Sequence, residues 1–310
     1  MQWLLGIGCW LIASTTVAQT QPLQIRAHER HLTAIVFSPD GKSVITASDD
    51  GSWRQWDATT GKRQTQVKTD SPLTALAISP NGTQIAAGSW NGKLQLWNIM
   101  EAKAPLIIQA HTENITALAY SSDGTRIVSG SGDDTVKSLD AATGKQLFAA
   151  DQGNEYDVTS IAFSRDGKWV LTGDGEGTVR VLDAAKGMEL QRFQCHEETI
   201  AGASFLAEGK KLVTASWDDT IKVWDCMSGG ELLSLTGHTD DVTCMAMSRD
   251  EKFLVTGSTD RTARCWDTTT GKMILTTPLQ KDAVSAVAIT ADGKRIAIGQ
   301  GGNVMIMEVR

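Results

Sequence analysis

The 310-residue sequence predicts an all-β fold assembled from seven similar units, and three observations support this prediction. A turn motif of the type Ser-Pro-Asp-Gly occurs seven times, at intervals of 41 to 43 residues. Short runs of β-branched and apolar residues lie between these turns, bounded by Gly, Asp, Asn and Ser. The last unit stops one strand short. A unit of this length cannot bury its own apolar face, so neighbouring units must pack against one another.

The seven turns define the units along the chain. They lie at Ser38–Gly41, Ser79–Gly82, Ser121–Gly124, Ser164–Gly167, Leu206–Gly209, Ser248–Glu251 and Thr290–Gly293. Each unit reads as four short strands, which in the fifth unit are Thr199–Leu206, Lys211–Ser216, Asp218–Asp225 and Glu231–Gly237. These runs have the length and composition of strands in an all-β protein.

The first strand of each unit is apolar on both faces, whereas the fourth is more polar. In the first unit, strict alternation places Leu32, Ala34 and Val36 on one side and Ile35 and Phe37 on the other. Apolarity on both sides indicates a strand that is covered on both sides. A sheet with a buried inner strand and a polar outer one is a propeller blade. The sequence therefore predicts one seven-bladed β-propeller over residues 19–310.

The two ends of the chain complete one blade. The seventh unit ends at Val309 and Arg310 after its third strand, and Pro22–Ala27 precedes the first unit as a spare strand. Pairing of this N-terminal strand with the last unit would close the ring and leave no open sheet edge between blades. We therefore expect the N-terminal strand to close the propeller.

The repeats resemble those of the WD-repeat family. The family's Trp-Asp pair stands at Trp56-Asp57, Trp224-Asp225 and Trp266-Asp267. The family's His, Ser/Thr, Asp and Trp set is complete in units 1, 5 and 6, and lacks only the Trp in unit 3, where Leu139 stands. The sets are His28, Ser48, Asp50 and Trp56; His111, Ser131 and Asp133; His196, Ser216, Asp218 and Trp224; and His238, Ser258, Asp260 and Trp266. The resemblance implies a structural network in which Asp accepts from His, His meets the Ser hydroxyl, and that hydroxyl meets the indole.

Ser, His and Asp together also suggest a hydrolase. An enzyme needs only one nucleophile site, however, whereas this set of residues recurs in several units. We therefore expect no catalytic residues, no cofactor and no metal, and a protein or peptide as the partner. The 36 Asp and Glu residues outnumber the 29 Lys and Arg residues, which argues against nucleic acid as the partner.

The fourth unit leaves an alternative open, because its His, Ser, Asp and Trp positions hold Asn154, Asp174, Glu176 and Leu182. With Asp157, its carboxylates could hold a cation or small ligand near the channel, as in an enzyme or enzyme accessory.

The first 18 residues look like a signal peptide. Trp3–Ala13 is a short apolar run, and Thr16 and Ala18 stand at the positions of a small-residue cleavage site. We therefore expect a secreted or periplasmic protein that begins at Gln19, with a cytoplasmic protein as the alternative. The apolar run is too short for an ordinary membrane span. Four cysteines follow this segment, Cys195, Cys226, Cys244 and Cys265, and the sequence does not assign their thiol state. Buried free thiols are the default expectation for Cys244 and Cys265, which stand where other blades have small apolar strand residues.

The resemblance also implies a partner-binding face. Members of the family often contact their partners through the residue before the turn Asp and through the third and fifth residues after the His. Trp90 and Trp217 stand before the turn Asp, in tight turns where packing does not require an indole. The other predicted contact residues are Asp49, Asp157, Asp241, His31, Asn114 and Thr259. The fifth positions after the His are Thr33, Thr74, Thr116, Thr159, Ala201, Thr243 and Ser285. A monomeric propeller would dock its partner there.

Overall fold

A computed structural model describes residues 21–101, 103–151 and 156–309. Within these ranges the chain forms 28 β-strands and one 3-10 turn at Ala207–Gly209, and the strands make seven antiparallel four-stranded sheets. The predicted all-β, seven-bladed propeller is confirmed. The predicted signal peptide and Asn154 lie outside the described residues. No helix in the described ranges is long and apolar enough to cross a membrane.

The blades follow one another along the chain, and each runs from its inner to its outer strand. Blade 1 is β2 (Leu32–Phe37), β3 (Ser43–Ser48), β4 (Ser52–Asp57) and β5 (Arg63–Lys68). Blade 2 is β6 (Leu73–Ile78), β7 (Gln84–Ser89), β8 (Lys93–Asn98) and β9 (Leu106–Gln109). Blade 3 is β10 (Ile115–Tyr120), β11 (Arg126–Ser131), β12 (Thr135–Asp140) and β13 (Gln146–Asp151). Blade 4 is β14 (Val158–Phe163), β15 (Trp169–Asp174), β16 (Thr178–Asp183) and β17 (Glu189–Gln194).

The remaining blades repeat this order. Blade 5 is β18 (Ile200–Leu206), β19 (Lys211–Ser216), β20 (Ile221–Asp225) and β21 (Glu231–Leu235). Blade 6 is β22 (Val242–Met247), β23 (Phe253–Ser258), β24 (Ala263–Asp267) and β25 (Met273–Thr276). Blade 7 is β26 (Val284–Ile289), β27 (Arg295–Gln300), β28 (Asn303–Glu308) and, from the other end of the chain, β1 (Leu23–Arg26).

The N-terminal strand closes the ring as predicted. Strand β1 pairs antiparallel with β28, from Leu23 opposite Ile306 to Arg26 opposite Asn303. Ile25, which is 5% exposed, joins the apolar cluster shared by blades 7 and 1. The seventh blade is thus held together by both ends of the chain, with β1 as its outer strand.

The inner strands depart from the strict alternation that the sequence suggests. In every blade the pairing of the first two strands shifts by one residue near its start, as between Leu32 and Ala34 in blade 1. This β-bulge turns Leu32 to the side of Ile35 and Phe37, and all three are buried in one cluster. The prediction that Leu32 faces away from Ile35 was therefore wrong. A bulge reverses the parity of the strand, and periodicity alone does not reveal it.

The core lies between neighbouring blades. Ile45 and Trp53 of blade 1 pack with Leu73 and Ile85 of blade 2, and all four are at most 2% exposed. Comparable clusters fill the other blade interfaces that the structure describes. At about 25 cal/mol for each Å² of buried apolar surface, this packing dominates the stability of each blade pair. The loops at the two ends of the disc are left free to vary in sequence.

Candidate partner-binding face

One face of the disc is built from two kinds of loop that meet in each blade. These are the loops from the fourth strand of one blade to the first strand of the next, and the turns between second and third strands. We call this surface the Trp face and the other side, formed by the remaining turns, the opposite face. In blade 1, the amide N–H of Asp49 donates to the carbonyl of His31 at 3.2 Å. The equivalent pairs are Trp90 with Pro72, Gly132 with Asn114, Gly175 with Asp157, Trp217 with Thr199 and Thr259 with Asp241.

Trp90 and Trp217 are exposed on this face. The side chain of Trp90 is 64% exposed and that of Trp217 is 45% exposed. The signature tryptophans Trp56, Trp224 and Trp266 are at most 7% exposed. The predicted exposure of the two turn indoles is confirmed. Their positions in blades 2 and 5 place them three blades apart on a seven-bladed ring, so they lie on nearly opposite sides of the channel mouth.

The other predicted contact residues are also accessible, to different degrees. His31 and Asp157 are exposed, whereas Asp49, Asn114, Asp241 and Thr259 are half-buried. Asn114 and Asp157 belong to different loops but converge above Gly132. A Cβ at Gly132 would lie 2.6 Å from Oδ1 of Asn114 and 3.4 Å from Oδ2 of Asp157. Glycine therefore allows the loops of blades 3 and 4 to approach each other here.

Carboxylates crowd the Trp face beside Trp217. Ligand oxygens of Asp219, Asp240 and Asp241 lie within 4.8 Å of one another. Burial, followed by the charges of Asp240 and Asp241, raises the pKa of Asp219. In blade 3, burial and then the charges of Asp157 and Glu113 likewise raise the pKa of Asp134. Both shifts reflect a negative potential that disfavours further negative charge.

The His–Asp bond of the predicted network is present in four blades. Nδ1 of His28 lies 2.9 Å from Asp50, and Nδ1 of His238 lies 2.7 Å from Asp260. The corresponding distances are 3.0 Å for His111 with Asp133 and 2.8 Å for His196 with Asp218. The four imidazoles are buried at the blade edge, so the carboxylate fixes each ring in place.

The hydroxyl of the network is a different residue from the one that we predicted. In blade 6, Nε2 of His238 lies 2.9 Å from Oγ1 of Thr256, and the indole N–H of Trp266 donates to the same oxygen at 2.9 Å. Ser258 does not bridge them. Thr46 replaces Ser48 and Thr214 replaces Ser216 in the same way. In blade 3, which has Leu139 in place of the Trp, Ser129 rather than Ser131 contacts His111.

Strand geometry explains this correction. Leu254 lies opposite Trp266 in the sheet, and Thr256 is the next residue on the same face. Ser258 is a further two residues along, about 6.6 Å away at the rise of a strand, beyond the reach of the indole. Its hydroxyl instead accepts the amide N–H of Asp260 at 2.9 Å and donates to the Asp240 carbonyl at 2.8 Å. Ser48, Ser131 and Ser216 accept the amide of their turn Asp in the same way.

A second hydroxyl, which sequence inspection missed, completes each network. Thr262 donates to Oδ1 of Asp260 at 2.7 Å. The equivalent donors are Ser52, Thr135 and Thr220. Both hydroxyls could have been found from their spacing, since they lie 18 and 24 residues after the His in each of these four blades. The Ser, His and Asp side chains therefore form a closed structural network around the blade edge.

The networks shift the titration of their members in a consistent direction. Burial lowers the pKa of His238 below its ordinary value of 6.5, although the hydrogen bond to Asp260 acts to raise it. Burial lowers the pKa of His28, His111 and His196 in the same way. Each imidazole is therefore neutral at neutral pH, with Nδ1–H facing the carboxylate and Nε2 accepting from the hydroxyl.

Blade 4 replaces the network with a buried ion pair. Asp174 and Arg180 are each 2% exposed, and Nη1 of Arg180 lies 3.4 Å from Oδ2 of Asp174. Asp174 also accepts the amide N–H groups of Glu176 and Thr178 at 3.0 and 2.9 Å. Glu176 and Asp157 are exposed, so the structure does not bring the three carboxylates together. The guanidinium of Arg180 already balances the charge of Asp174, which favours the scaffold over the cation alternative at this site.

The fifth residues after each His contact the next blade through their hydroxyls. Each one is the bulged residue of its inner strand, and in six blades its hydroxyl donates to a backbone carbonyl of the next blade. The pairs are Thr33 with Leu73 at 2.9 Å, Thr74 with Ile115 at 2.6 Å, Thr116 with Val158, Thr159 with Ile200 at 2.6 Å, Thr243 with Val284 at 2.6 Å and Ser285 with Leu32 at 2.9 Å. Ala201 leaves blade 5 without this bond. The six hydroxyls join the blades, and Thr33, Thr74, Thr116 and Thr159 also line the central channel.

The four cysteines in the described part of the chain are free thiols. Cys195, Cys226 and Cys265 are buried and Cys244 is half-buried. Burial raises the pKa of the Cys195 thiol to about 12 and that of Cys265 to about 11. Thiols held in this neutral form are poor nucleophiles, so they pack as small apolar side chains.

Comparison with known families agrees with the architecture. A family model described as WD domain, G-beta repeat matches residues 145–183, 187–225 and 229–267. A second model, described as NUP159/214 beta propeller, matches residues 13–156. No curated protein is similar enough to count as a match. The repeat matches run from the outer strand of blade 3 to the third strand of blade 6 and include two Trp-Asp pairs and two of the His–Asp networks. The chain therefore carries WD repeats and is similar to the WD-repeat β-propeller family over the matched residues.

Proposed function

We propose that this propeller is a non-enzymatic scaffold that docks a protein or peptide on its Trp face. WD-repeat propellers typically bind proteins, and the rigid disc presents loops that are free to vary. The observation that carries the proposal is the exposure of Trp90 and Trp217 at equivalent turn positions. Exposed indoles are enriched among the residues that dominate binding energy at interfaces. Because the two indoles flank the channel mouth, a ligand that touches both must be peptide-sized or larger.

The proposal is tested by capturing partners from native extract with the immobilised protein and identifying them by mass spectrometry. Each captured partner is then titrated against the wild type and against Trp90→Ala and Trp217→Ala. Each truncation should weaken binding by about 2 kcal/mol, as expected for a hot-spot residue. The melting temperature should change little, because neither side chain belongs to an apolar core cluster.

A matched control distinguishes binding on the Trp face from non-specific binding to exposed apolar side chains. Met227, which is 82% exposed, lies on the opposite face in the turn after β20. Met227→Ala should leave the affinity unchanged. If the double Trp variant still binds every captured partner with wild-type affinity, docking on the Trp face is wrong.

We further propose that the protein is exported, since Trp3–Ala13 and the small residues before Gln19 have the pattern of a signal peptide. N-terminal sequencing of protein from the native host should then begin at or near Gln19. Protein that retains Met1 or Gln2 in a cytosolic fraction would support the cytoplasmic alternative.

A further inference from the structure

Charge is distributed unequally between the two faces of the disc. In the described part of the Trp face, the loops and turns carry seventeen carboxylates and only three Lys or Arg side chains, which are Arg30, Arg261 and Lys281. The described turns of the opposite face carry eight carboxylates and twelve Lys or Arg side chains. The formal net charge of −7 is therefore concentrated on the Trp face.

Most of these carboxylates are available to a partner. Four of them, Asp50, Asp133, Asp218 and Asp260, are held in the His networks. Asp70 is paired with Lys93, whose Nζ lies 2.5 Å from Oδ2 of Asp70. The remaining twelve still exceed the three cations of these loops and turns. They lie beside both exposed indoles, because Glu113 belongs to the loop that is hydrogen-bonded to the Trp90 turn and Asp241 belongs to the loop beside the Trp217 turn. An apolar anchor with a negatively charged rim favours a partner with positive charge around an apolar group.

We propose that the segment docked on the Trp face is a protein segment rich in lysine and arginine, with apolar side chains that contact Trp90 and Trp217. This inference rests on the proposed function and specifies the chemistry of the partner. Negative potential over a whole face accelerates encounter with a cationic segment and repels acidic ones. It also repels nucleic acid and anionic lipid surfaces, so a basic protein segment is the class of macromolecule that fits.

The test uses two synthetic probes, a peptide of alternating lysine and leucine and its counterpart with glutamate in place of lysine. Fluorescence anisotropy measures the affinity of each probe for the wild type at low and moderate salt. The lysine peptide should bind at least about tenfold more tightly than the glutamate peptide, and added salt should weaken its binding. Equal affinity for the two peptides would overturn the inference.

Two sets of variants locate the binding. The triple variant Asp157→Asn, Asp240→Asn, Asp241→Asn removes charge from the Trp face and leaves the His networks intact. The control triple variant Asp166→Asn, Asp250→Asn, Asp292→Asn removes the same charge from the opposite face. Asparagine fits there because Asn81 already makes the equivalent turn bonds in blade 2. The first set should weaken the lysine peptide about tenfold and the control less than about twofold, since a tenfold change needs only about 1.4 kcal/mol.

The double variant Trp90→Ala, Trp217→Ala distinguishes this inference from the proposed function. If that variant loses binding and the charge variant does not, the Trp face is the docking surface but its partner is not basic. If the charge variant loses binding and the Trp variant does not, basic recognition stands and the indole anchors are wrong. Equal losses in the two charge variants would mean general attraction to an acidic protein, and would overturn the inference.

Discussion

Thr256 serves two buried groups at once in blade 6. Its hydroxyl accepts the indole N–H of Trp266 and lies in hydrogen-bond contact with Nε2 of His238, and all three side chains are buried. A buried polar group that loses its partner costs the free energy of its desolvation. The stability of the blade therefore depends on this one hydroxyl more than on any exposed polar residue.

We predict that Thr256→Val lowers the free energy of unfolding by about 1–3 kcal/mol, because valine keeps the shape and leaves two buried groups unpaired. Thr276→Val, on the exposed outer strand of the same blade, is the control and should change it by less than about 0.5 kcal/mol. Urea unfolding of the three proteins measures both values. Similar losses in the two variants would contradict the assignment of Thr256 to the network.

The histidines make stability depend on pH in a defined direction. Burial holds the pKa of His238 below 6.5 in the folded protein, so the unfolded chain binds protons more readily. The stabilising contribution is complete above 6.5 and is lost as the pH falls towards the lowered folded pKa. The free energy of unfolding should therefore decrease on acidification below 6.5, and His238→Gln should reduce that dependence. A variant that keeps the wild-type pH dependence would contradict this account.

The constant interval of 22 residues between His and Asp was enough to predict which residues pair. The hydroxyl partner was predicted two residues too far along the strand, because Ser258 and Thr256 lie on the same face and either could serve by type alone. Only the register of Trp266 against Leu254 decides between them. The ion pair of Asp174 and Arg180 was missed because it depends on a pairing that no repeat spacing marks.

Each blade is joined to the next by an inner-strand hydroxyl as well as by apolar packing. Blade 5 is the exception, since Ala201 stands where Thr159 and Thr243 donate to the following blade. The sequence shows the alternation of the inner strands, but the bulge that directs these hydroxyls towards the next blade is set by pairing. For this reason the strands could be predicted and the inter-blade bonds could not.

We predict that Ala201→Thr restores the missing bond, with the Val242 carbonyl as its acceptor, and raises the free energy of unfolding by about 0.5–1.5 kcal/mol. Ala201→Val adds nearly the same volume without a hydroxyl and serves as the control. Thermal unfolding of the two variants isolates the hydrogen bond, because their difference excludes the effect of size. If the valine variant is as stable as the threonine variant, the hydrogen bond from this hydroxyl to the next blade contributes nothing to stability.

At the scale of the whole molecule, closure depends on four residues at the N-terminal end. Strand β1 completes blade 7, and its Ile25 is buried while the neighbouring Gln24 faces solvent. Ile25→Asp should cost roughly 3 kcal/mol or more, because it places an unpaired charge in the interface of blades 7 and 1. Gln24→Asp is the matched control and should be nearly neutral. Similar melting temperatures for the two variants would show that β1 does not close the ring.

The sequence was sufficient for the architecture because repeat length, turn motifs and chain ends all point to the same ring. It also located the two exposed indoles, since no packing position accounts for them. The charge difference between the two faces emerged only after the strands were placed, because loops of both faces alternate along the chain. The proposed docking surface combines these two features, the indoles and the carboxylates.

The most direct test of this surface is hydrogen–deuterium exchange of the protein with and without a partner captured from native extract. Binding on the Trp face should slow exchange in the turns that contain Trp90 and Trp217 and in the loop that contains Asp240 and Asp241. The Ser38–Gly41 and Ser164–Gly167 turns of the opposite face should exchange as in the free protein. Protection confined to the opposite-face turns, with unchanged exchange around Trp90 and Trp217, would contradict the account.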